Sequence, residues 1–340
     1  MAAHPMDAGH TMNDTDTAHP YEHLTPDLVM DAVESLGYVC DARVFALNSY
    51  ENRVYQVGID GQSPLIAKFY RPARWSDEQI LEEHGFSRTL HDLGVSVVPP
   101  IEHDAGSLLS FDGFRFALYP RQGGHAPTLD NFDHLLSLGR ALGRIHALGR
   151  VAPFQQRPEL NTDTFARASY TFLLDKGFIP DSLREAYRTL GQDLIDRCDK
   201  VFASTRFNTI RLHGDCHPGN ILWRDDAPHF VDFDDARNGP AIQDLWMLLS
   251  GDRAQQSAQL SEILDGYREF CDFNPAELLL IEALRTLRIM HYAGWLARRW
   301  EDPAFPHSFP WFNTERYWAE HILELREQLA ALQEPALEVF

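Results

Sequence analysis

Lysine, positive charge, paired cysteines and long apolar runs are all scarce in this sequence, and each shortage excludes something. Of 30 basic residues only Lys68, Lys176 and Lys200 are lysines, and 50 acidic residues bring the net charge to −20. A general nucleic-acid binder or a polybasic membrane anchor needs a positive footprint. Neither nucleic acid nor a membrane is therefore an expected partner, and no apolar run approaches the length of a membrane span. Cys40, Cys198, Cys216 and Cys271 are widely spaced and form no C-x-x-C pair. That pattern indicates neither a zinc knuckle nor a disulfide framework. The first basic residue is Arg43, so no charged n-region marks a secretory signal. A reducing, cytoplasmic setting and a monomer are expected.

What is present reads as two lobes, since 340 residues divide into about two units of roughly 150. Residues 1–24 are polar, without hydrophobic period, and are expected to be a disordered tail. Thr25 can cap a helix that Pro26 opens and Gly37 ends. Val44–Val57 and Leu65–Tyr70 flank Asp60-Gly61 and read as a hairpin. Ser76 can cap a helix over 76–93, and short strands follow at 95–101, 107–111 and 115–119. Gln122-Gly123-Gly124 reads as a connector. Beyond it, Leu135, Leu138, Leu142 and Ile145 recur at helical spacing, and 181–203 and 254–300 are mostly helical. The expected fold is α+β and bilobed: a small β-rich N-lobe over 25–122 and a larger helical C-lobe over 123–340. A cleft between such lobes is a natural ligand site.

Chemistry concentrates in His213-Gly214-Asp215-Cys216-His217-Pro218-Gly219-Asn220 and Val231-Asp232-Phe233-Asp234-Asp235. Apolar residues flank both clusters, which places Asp215, Asn220 and Asp232 on loops leaving short strands. Their oxygens suit Mg²⁺; zinc through His213, Cys216 and His217 lacks a second ligand pair. Phosphoryl transfer needs a carboxylate for the attacking hydroxyl, an Asn and an Asp for the metal, a lysine for the phosphates and a glutamate to position it. Asp215, Asn220, Asp232, Lys68 in Leu65-Ile66-Ala67-Lys68-Phe69 and Glu83 in the next helix fill those roles. A strand-end lysine that merely snorkels is the plain alternative for Lys68. Asp234 and Asp235 either line an acidic pocket or are structural, and the structural reading is preferred. Arg285, Arg288, Arg298 and Arg299, with Trp295 and Trp300, read as a solvated helix over aromatic packing. Cys216 beside the base invites a redox role only if its pKa is lowered.

The two clusters resemble the catalytic and metal motifs of the aminoglycoside phosphotransferase and choline kinase superfamily, which has a protein-kinase-like fold. Within it, residues 47–55, 68–72, 234–240, 243–249 and 300–306 are similar to a bacterial family of stress response kinases. The resemblance covers roughly residues 25–335. It implies an ATP- and Mg²⁺-dependent Ser/Thr protein kinase that also phosphorylates itself. Carried over, Asp215 is the catalytic base, while Asn220 and Asp232 bind Mg²⁺ and Asp232 shares the catalytic work. Asn48 and Ser49 sit in the nucleotide loop, and Lys68 pairs with the phosphates and Glu83. Asp244 braces the catalytic loop; an ordinary helix cap is its alternative. The 47–55 loop has no G-x-G-x-x-G and no Ala-Pro-Glu follows Asp232, so a standard activation segment is not expected. The competing reading is a kinase of a small alcohol such as an aminoglycoside, choline or homoserine.

Overall fold

The structure, a computed structural model, describes residues 21–340. Most of the expected tail lies outside the described residues. Its last part does not behave as a tail: Tyr21 and Leu24 are buried, with the Tyr21 ring stacked 6.5 Å from Phe114. An aromatic and a leucine next to the first helix are apolar enough to join the core.

The N-lobe begins with α1 (Pro26–Glu34), capped by Thr25 as its sequence suggests. A five-stranded antiparallel sheet follows: β1 (Cys40–Ala46), β2 (Arg53–Ile59), β3 (Leu65–Phe69), β4 (Leu109–Phe111) and β5 (Phe114–Pro120), in the order β1-β2-β3-β5-β4. The stretch Val44–Val57 is thus not one strand. It is the end of β1, a loop over 47–52 and most of β2, because Asn48, Ser49 and Asn52 break the apolar alternation. Residues 95–101 form only a single bridge, Val97 to Phe230. The turns at Gly61 and at Asp112-Gly113 take the left-handed backbone that tight hairpins require. Between β3 and β4 lies α2 (Asp77–Asp92), opened by a capping box of Ser76 and Gln79.

The C-lobe runs α3 (Phe132–Gly149), a π-helical turn at Asp163–Arg167 leading into α4 (Ala168–Asp175), and α5 (Asp181–Ser204). Short strands β6 (Ile210–Leu212), β7 (Ile221–Arg224), β8 (Ala227–Phe230) and β9 (Arg237–Gly239) pair as β6-β9 and β7-β8. Then come α6 (Ile242–Trp246), α7 (Arg253–Arg268), α8 (Ile281–Arg298), α9 (Ala304–Ser308) and α10 (Glu315–Ala331). The apolar stripe Leu135, Leu138, Leu142 and Ile145 of α3 is fully buried. It packs on α7 so closely that a Cβ on Gly139 would lie 2.0 Å from the Ile263 carbonyl. That approach sets His146 of α3 against Tyr267 of α7. No helix among the described residues is long and apolar enough to cross a membrane.

Each lobe has its own core, and α2 bridges them: Ile80 packs with Tyr70 and Ala117 of the N-lobe, while Phe86 and Leu90 join the larger core. Phe86 packs edge-on against Phe154 and Phe233. The Glu82 carboxylate accepts from the backbone N–H groups of Gln156 (2.8 Å) and Arg157 (2.9 Å). The helix carrying Glu83 is therefore held by the C-lobe that also carries the Asp215 and Asp232 loops.

Candidate active site

The loop after β6 takes its shape from one buried carboxylate. Asp244, at the start of α6, accepts from the N–H of His213 (2.8 Å) and of Gly214 (2.9 Å), and its Oδ2 lies 3.0 Å from His146 Nε2. His146 Nδ1 in turn meets the Tyr267 hydroxyl at 3.0 Å. Asp244 and His146 are fully buried. The bracing role holds and the simple cap does not, since the bonds cross 31 and 30 residues of chain. Gly214 turns the loop with φ +86°, and a Cβ there would lie 2.2 Å from the Asp235 carbonyl. Only glycine fits that turn without displacing the next loop.

Asp215 projects from this turn into a cleft of about 430 Å³ between the lobes. Asn48, Ser49, Asn220, Asp232 and Arg288 are among the residues lining it. Asn220 Nδ2 donates to the Asp215 carbonyl at 3.0 Å, which leaves its Oδ1 as the acceptor. Asp232 adopts a left-handed backbone (φ 60°, ψ 64°), unusual for any residue but glycine, Asn or Asp. Its side chain is half exposed. An amide oxygen and a carboxylate facing one cleft are the hard donors that Mg²⁺ takes, with phosphate oxygens and water completing the shell.

Both Asp215 oxygens are engaged. Arg288 Nη1 lies 2.6 Å from Oδ1 and His217 Nε2 lies 3.4 Å from Oδ2. Burial pushes the Asp215 carboxyl up, but His217 and Arg288 outweigh it and hold it well below the usual carboxylate range. Arg288 was expected to be part of a solvated helix. It instead reaches Asp215, and Arg299 and Trp295 of the same region reach Glu51 in the 47–52 loop.

Lys68 lies 2.8 Å from Asp232 Oδ1 and 3.1 Å from Asp234 Oδ1. Burial pulls its pKa down; the two carboxylates outweigh that and hold it well above the usual value. The expected pairing with Glu83 is not formed. Among the described residues, the ion pairs of Lys68 are with Asp232 and Asp234. Glu83 is 2% exposed and its Oε2 has no hydrogen-bond partner. Burial pushes its carboxyl up to about 7, with Lys68 and Arg157 opposing.

That shift has a consequence for stability. The folded-state pKa of Glu83 is above its ordinary value of 4.5, so its contribution is fully present below pH 4.5 and is lost as pH rises through about 7. Glu277 is shifted the same way by burial. Melting of the wild type between pH 4.5 and 7 therefore carries a downward term. In Glu83→Gln that slope becomes shallower; an unchanged slope contradicts the assignment.

The 47–52 loop is pinned to the C-lobe. Glu51 accepts from Trp295 Nε1 (2.5 Å) and Arg299 Nη2 (2.9 Å), and Arg71 Nε lies 3.1 Å from its Oε1. Arg71 Nη2 also reaches Asp302 Oδ2 at 2.6 Å, with Arg53 Nη2 at 3.3 Å. The loop of Asn48 and Ser49 is thus fixed at one end by a largely buried network across the lobes.

Asp234 and Asp235 line the cleft, but their charge is paired within the protein. Arg74 binds both, and Arg237 Nη2 lies 2.7 Å from Asp235. The zinc alternative also lacks free ligands: His213 Nε2 meets the Val231 carbonyl and His217 Nδ1 accepts from Gly219 N–H. Burial, with Asp244 and Asp215 adding, pushes the Cys216 thiol well above its usual pKa, so a thiolate switch is not supported.

Residues 43–281 match the phosphotransferase enzyme family known as APH. The chain belongs to that family. It is 45% identical over 323 residues to stress response kinase A of Escherichia coli (strain K12), covering 95% of this chain and 98% of that protein. It is 44% identical over 324 residues, with the same coverage, to the serine/threonine protein kinase RdoA of Salmonella typhimurium. Among solved structures, an amicoumacin kinase in complex with AMP-PNP and Ca²⁺ matches with a TM-score of 0.70 at 21% identity, over 89% of this chain and 93% of that one. A spectinomycin phosphotransferase in complex with ADP matches with a TM-score of 0.60 at 16% identity, over 91% and 94%. The phosphotransferase thus has the bilobed fold its motifs implied, and its curated relatives are kinases.

In this phosphotransferase, Asn48, Ser49, Asp215, Asn220 and Asp232 meet in one cleft, Lys68 reaches it through Asp232, and Glu83 stands apart. Arg288, Glu51, Arg74 and Asp302 were missed as site residues. Glu51 and Asp302 lie in stretches that resemble the stress response kinases, and that likeness was the available signal. Nothing in local spacing joins Arg71 to a carboxylate 231 residues away.

Proposed function

We propose that the protein transfers the γ-phosphate of ATP, with Mg²⁺, to serine or threonine hydroxyls of proteins, itself included. The observation that carries this is the meeting of Asp215, Asn220, Asp232 and the Asn48–Ser49 loop in one cleft, with Lys68 held at Asp232. Asp215 accepts the proton of the attacking hydroxyl. Asn220 and Asp232 offer oxygens to the metal, which neutralises phosphate charge when bound. Lys68 exchanges its carboxylate partners for phosphate, and Asn48 and Ser49 close over the phosphates. The protein acceptor is favoured by relatives named for Ser/Thr kinase activity across nearly the full chain. Action in the cytoplasm, as a monomer and without nucleic acid or membrane partners, belongs to the same reading.

The small-alcohol reading draws on the structural neighbours, whose names refer to amicoumacin and spectinomycin. Against a cationic acceptor stands the neutralisation of Asp234 and Asp235 by Arg74, Arg237 and Lys68. A panel of choline, homoserine and aminoglycosides alongside a generic protein, each with γ-labelled ATP, separates the two. Label on protein alone supports the proposal, and label on a small alcohol alone contradicts it. The metal assignment has its own test. Asp232→Asn is expected to abolish the Mg²⁺-dependent gain in nucleotide affinity, read by titration with and without the metal. A retained gain contradicts it.

A further inference from the structure

The cations that line the cleft, Arg74, Arg237 and Arg288, are not equivalent. Arg74 binds Asp234 and Asp235, and Arg237 Nη2 lies 2.7 Å from Asp235, with both arginine side chains largely buried. Their charge is satisfied inside the protein. The Arg288 side chain is 42% exposed, and among the described residues its ion pair is with Asp215, 2.6 Å from Oδ1.

Arg288 stands on the face of α8 that turns to the cleft, with His291, Tyr292 and Trp295 at the i+3, i+4 and i+7 positions. These neighbours are uncharged or already engaged. Trp295 Nε1 donates to Glu51, and the His291 ring stacks on Phe165 at 4.3 Å. Burial, with Arg237 adding, pushes the His291 imidazole down to about 3, so the ring is neutral near pH 7. Tyr292 and Tyr50 are half exposed and form an aromatic mouth for an extended segment. Arg288 is thus the cation that a molecule entering beside Asp215 meets.

The Arg288–Asp215 pair sets a condition on the acceptor. Asp215 Oδ2 is flanked by His217 Nε2 and Asn220 Nδ2, each at 3.4 Å, while Oδ1 is the oxygen that faces α8. A neutral hydroxyl that takes the place of Arg288 at Oδ1 leaves a guanidinium without its partner. An acceptor with its own carboxylate supplies a new one, and charge-assisted pairs are about twice as strong as neutral bonds. Consecutive Cα atoms lie about 3.8 Å apart, so a carboxylate one or two positions from the hydroxyl falls within reach of an arginine that swings outward. The net charge of −20 opposes an acidic acceptor at long range. Charges more than about 8 Å apart are largely screened at physiological ionic strength, so the local contact decides.

We propose that Arg288 is a specificity-determining residue that selects serine or threonine acceptors with an aspartate or glutamate one or two positions away, the acidic side chain drawing Arg288 off Asp215 as the hydroxyl enters. The hydroxyl oxygen bonds to the γ-phosphorus, the bond to the bridging oxygen breaks with its electrons leaving on ADP, and the proton passes to Asp215. This rests on the protein-kinase reading above.

The test uses the full chain with Mg²⁺ and γ-labelled ATP, and peptides of one length with a single central serine flanked by Asp, by Asn or by Lys. The wild type is expected to favour the Asp peptide over the Asn peptide about tenfold in kcat/KM, the usual size of a hydrogen bond to a charged group. Arg288→Gln brings the two peptides together, and Arg288→Glu turns the preference to the Lys peptide. Each preference is a ratio within one enzyme, so a general loss of activity or stability does not move it. Equal use of the Asp and Asn peptides by the wild type, or an Asp preference that survives in Arg288→Gln, overturns this inference alone. Phosphate on choline or homoserine, run in parallel, with none on any peptide overturns the protein-kinase reading as well.

Discussion

Replacing Asp215 by asparagine is expected to lower the rate of phosphoryl transfer by about 10²–10⁴-fold, the usual contribution of a general base. Nucleotide affinity stays at the wild-type value. The split follows from the geometry. Asp215 is held by Arg288 and His217, while the oxygens proposed for the metal are those of Asn220 and Asp232, and the 47–52 loop is tied down separately through Glu51. Asparagine is nearly isosteric and still accepts from Arg288, so the loop keeps its shape and only proton acceptance is lost. Parallel measurement of turnover and of ATP–Mg²⁺ binding reads the split directly. A rate within a few-fold of wild type, or a loss of binding equal to the loss of rate, contradicts the assignment.

The second large effect is expected at Asp244, which touches no reacting atom. Asp244→Ala strands the N–H groups of His213 and Gly214 and the ring of His146, all inside the core. Removing one partner of a buried charged network costs about 3–5 kcal/mol. For a chain of this size that corresponds to a fall in Tm of roughly 4–7 °C. The rate falls too, because a shift of about 1 Å in a catalytic group costs on the order of 10²-fold. Asp244→Asn keeps one acceptor oxygen and falls between. Thermal melting of the three proteins checks the order; equal Tm values for wild type and Asp244→Ala contradict the bracing role.

Much of this architecture was legible in one sequence because it is written locally. The Thr25 and Ser76 caps, the Asp112-Gly113 turn and the α3 stripe each lie within a few residues of what they control. The residues that meet in the cleft were legible for a related reason. Asp215 and Asn220 sit five apart on one turn, and Asp232 follows the next short strand, so their spacing travels with the chemistry. Lys68 stood out because lysine is rare here and lies in an apolar strand. What local spacing could not show is what the tertiary fold decides. By its residues alone the 47–52 loop read as strand, because Leu47 and Tyr50 continue the β-like composition of β2; the resemblance marked Asn48 and Ser49 as loop, but its attachment appears only when Glu51 meets Trp295 and Arg299. Arg288 looked like one exposed arginine among several until the fold set it on Asp215. Glu83 was assigned to Lys68 by analogy, but Asp232 and Asp234 compete for the same ammonium at closer range. The Leu24 side of the tail boundary was lost because one tyrosine and one leucine are too few to make a pattern.

The most direct test is transfer from γ-labelled ATP with Mg²⁺ to a generic Ser/Thr protein, with wild type and Asp215→Asn side by side. Label on protein in the wild type, reduced by at least about 10²-fold in the variant, is the predicted result. Nucleotide bound by both proteins with no label on any protein in either would contradict it.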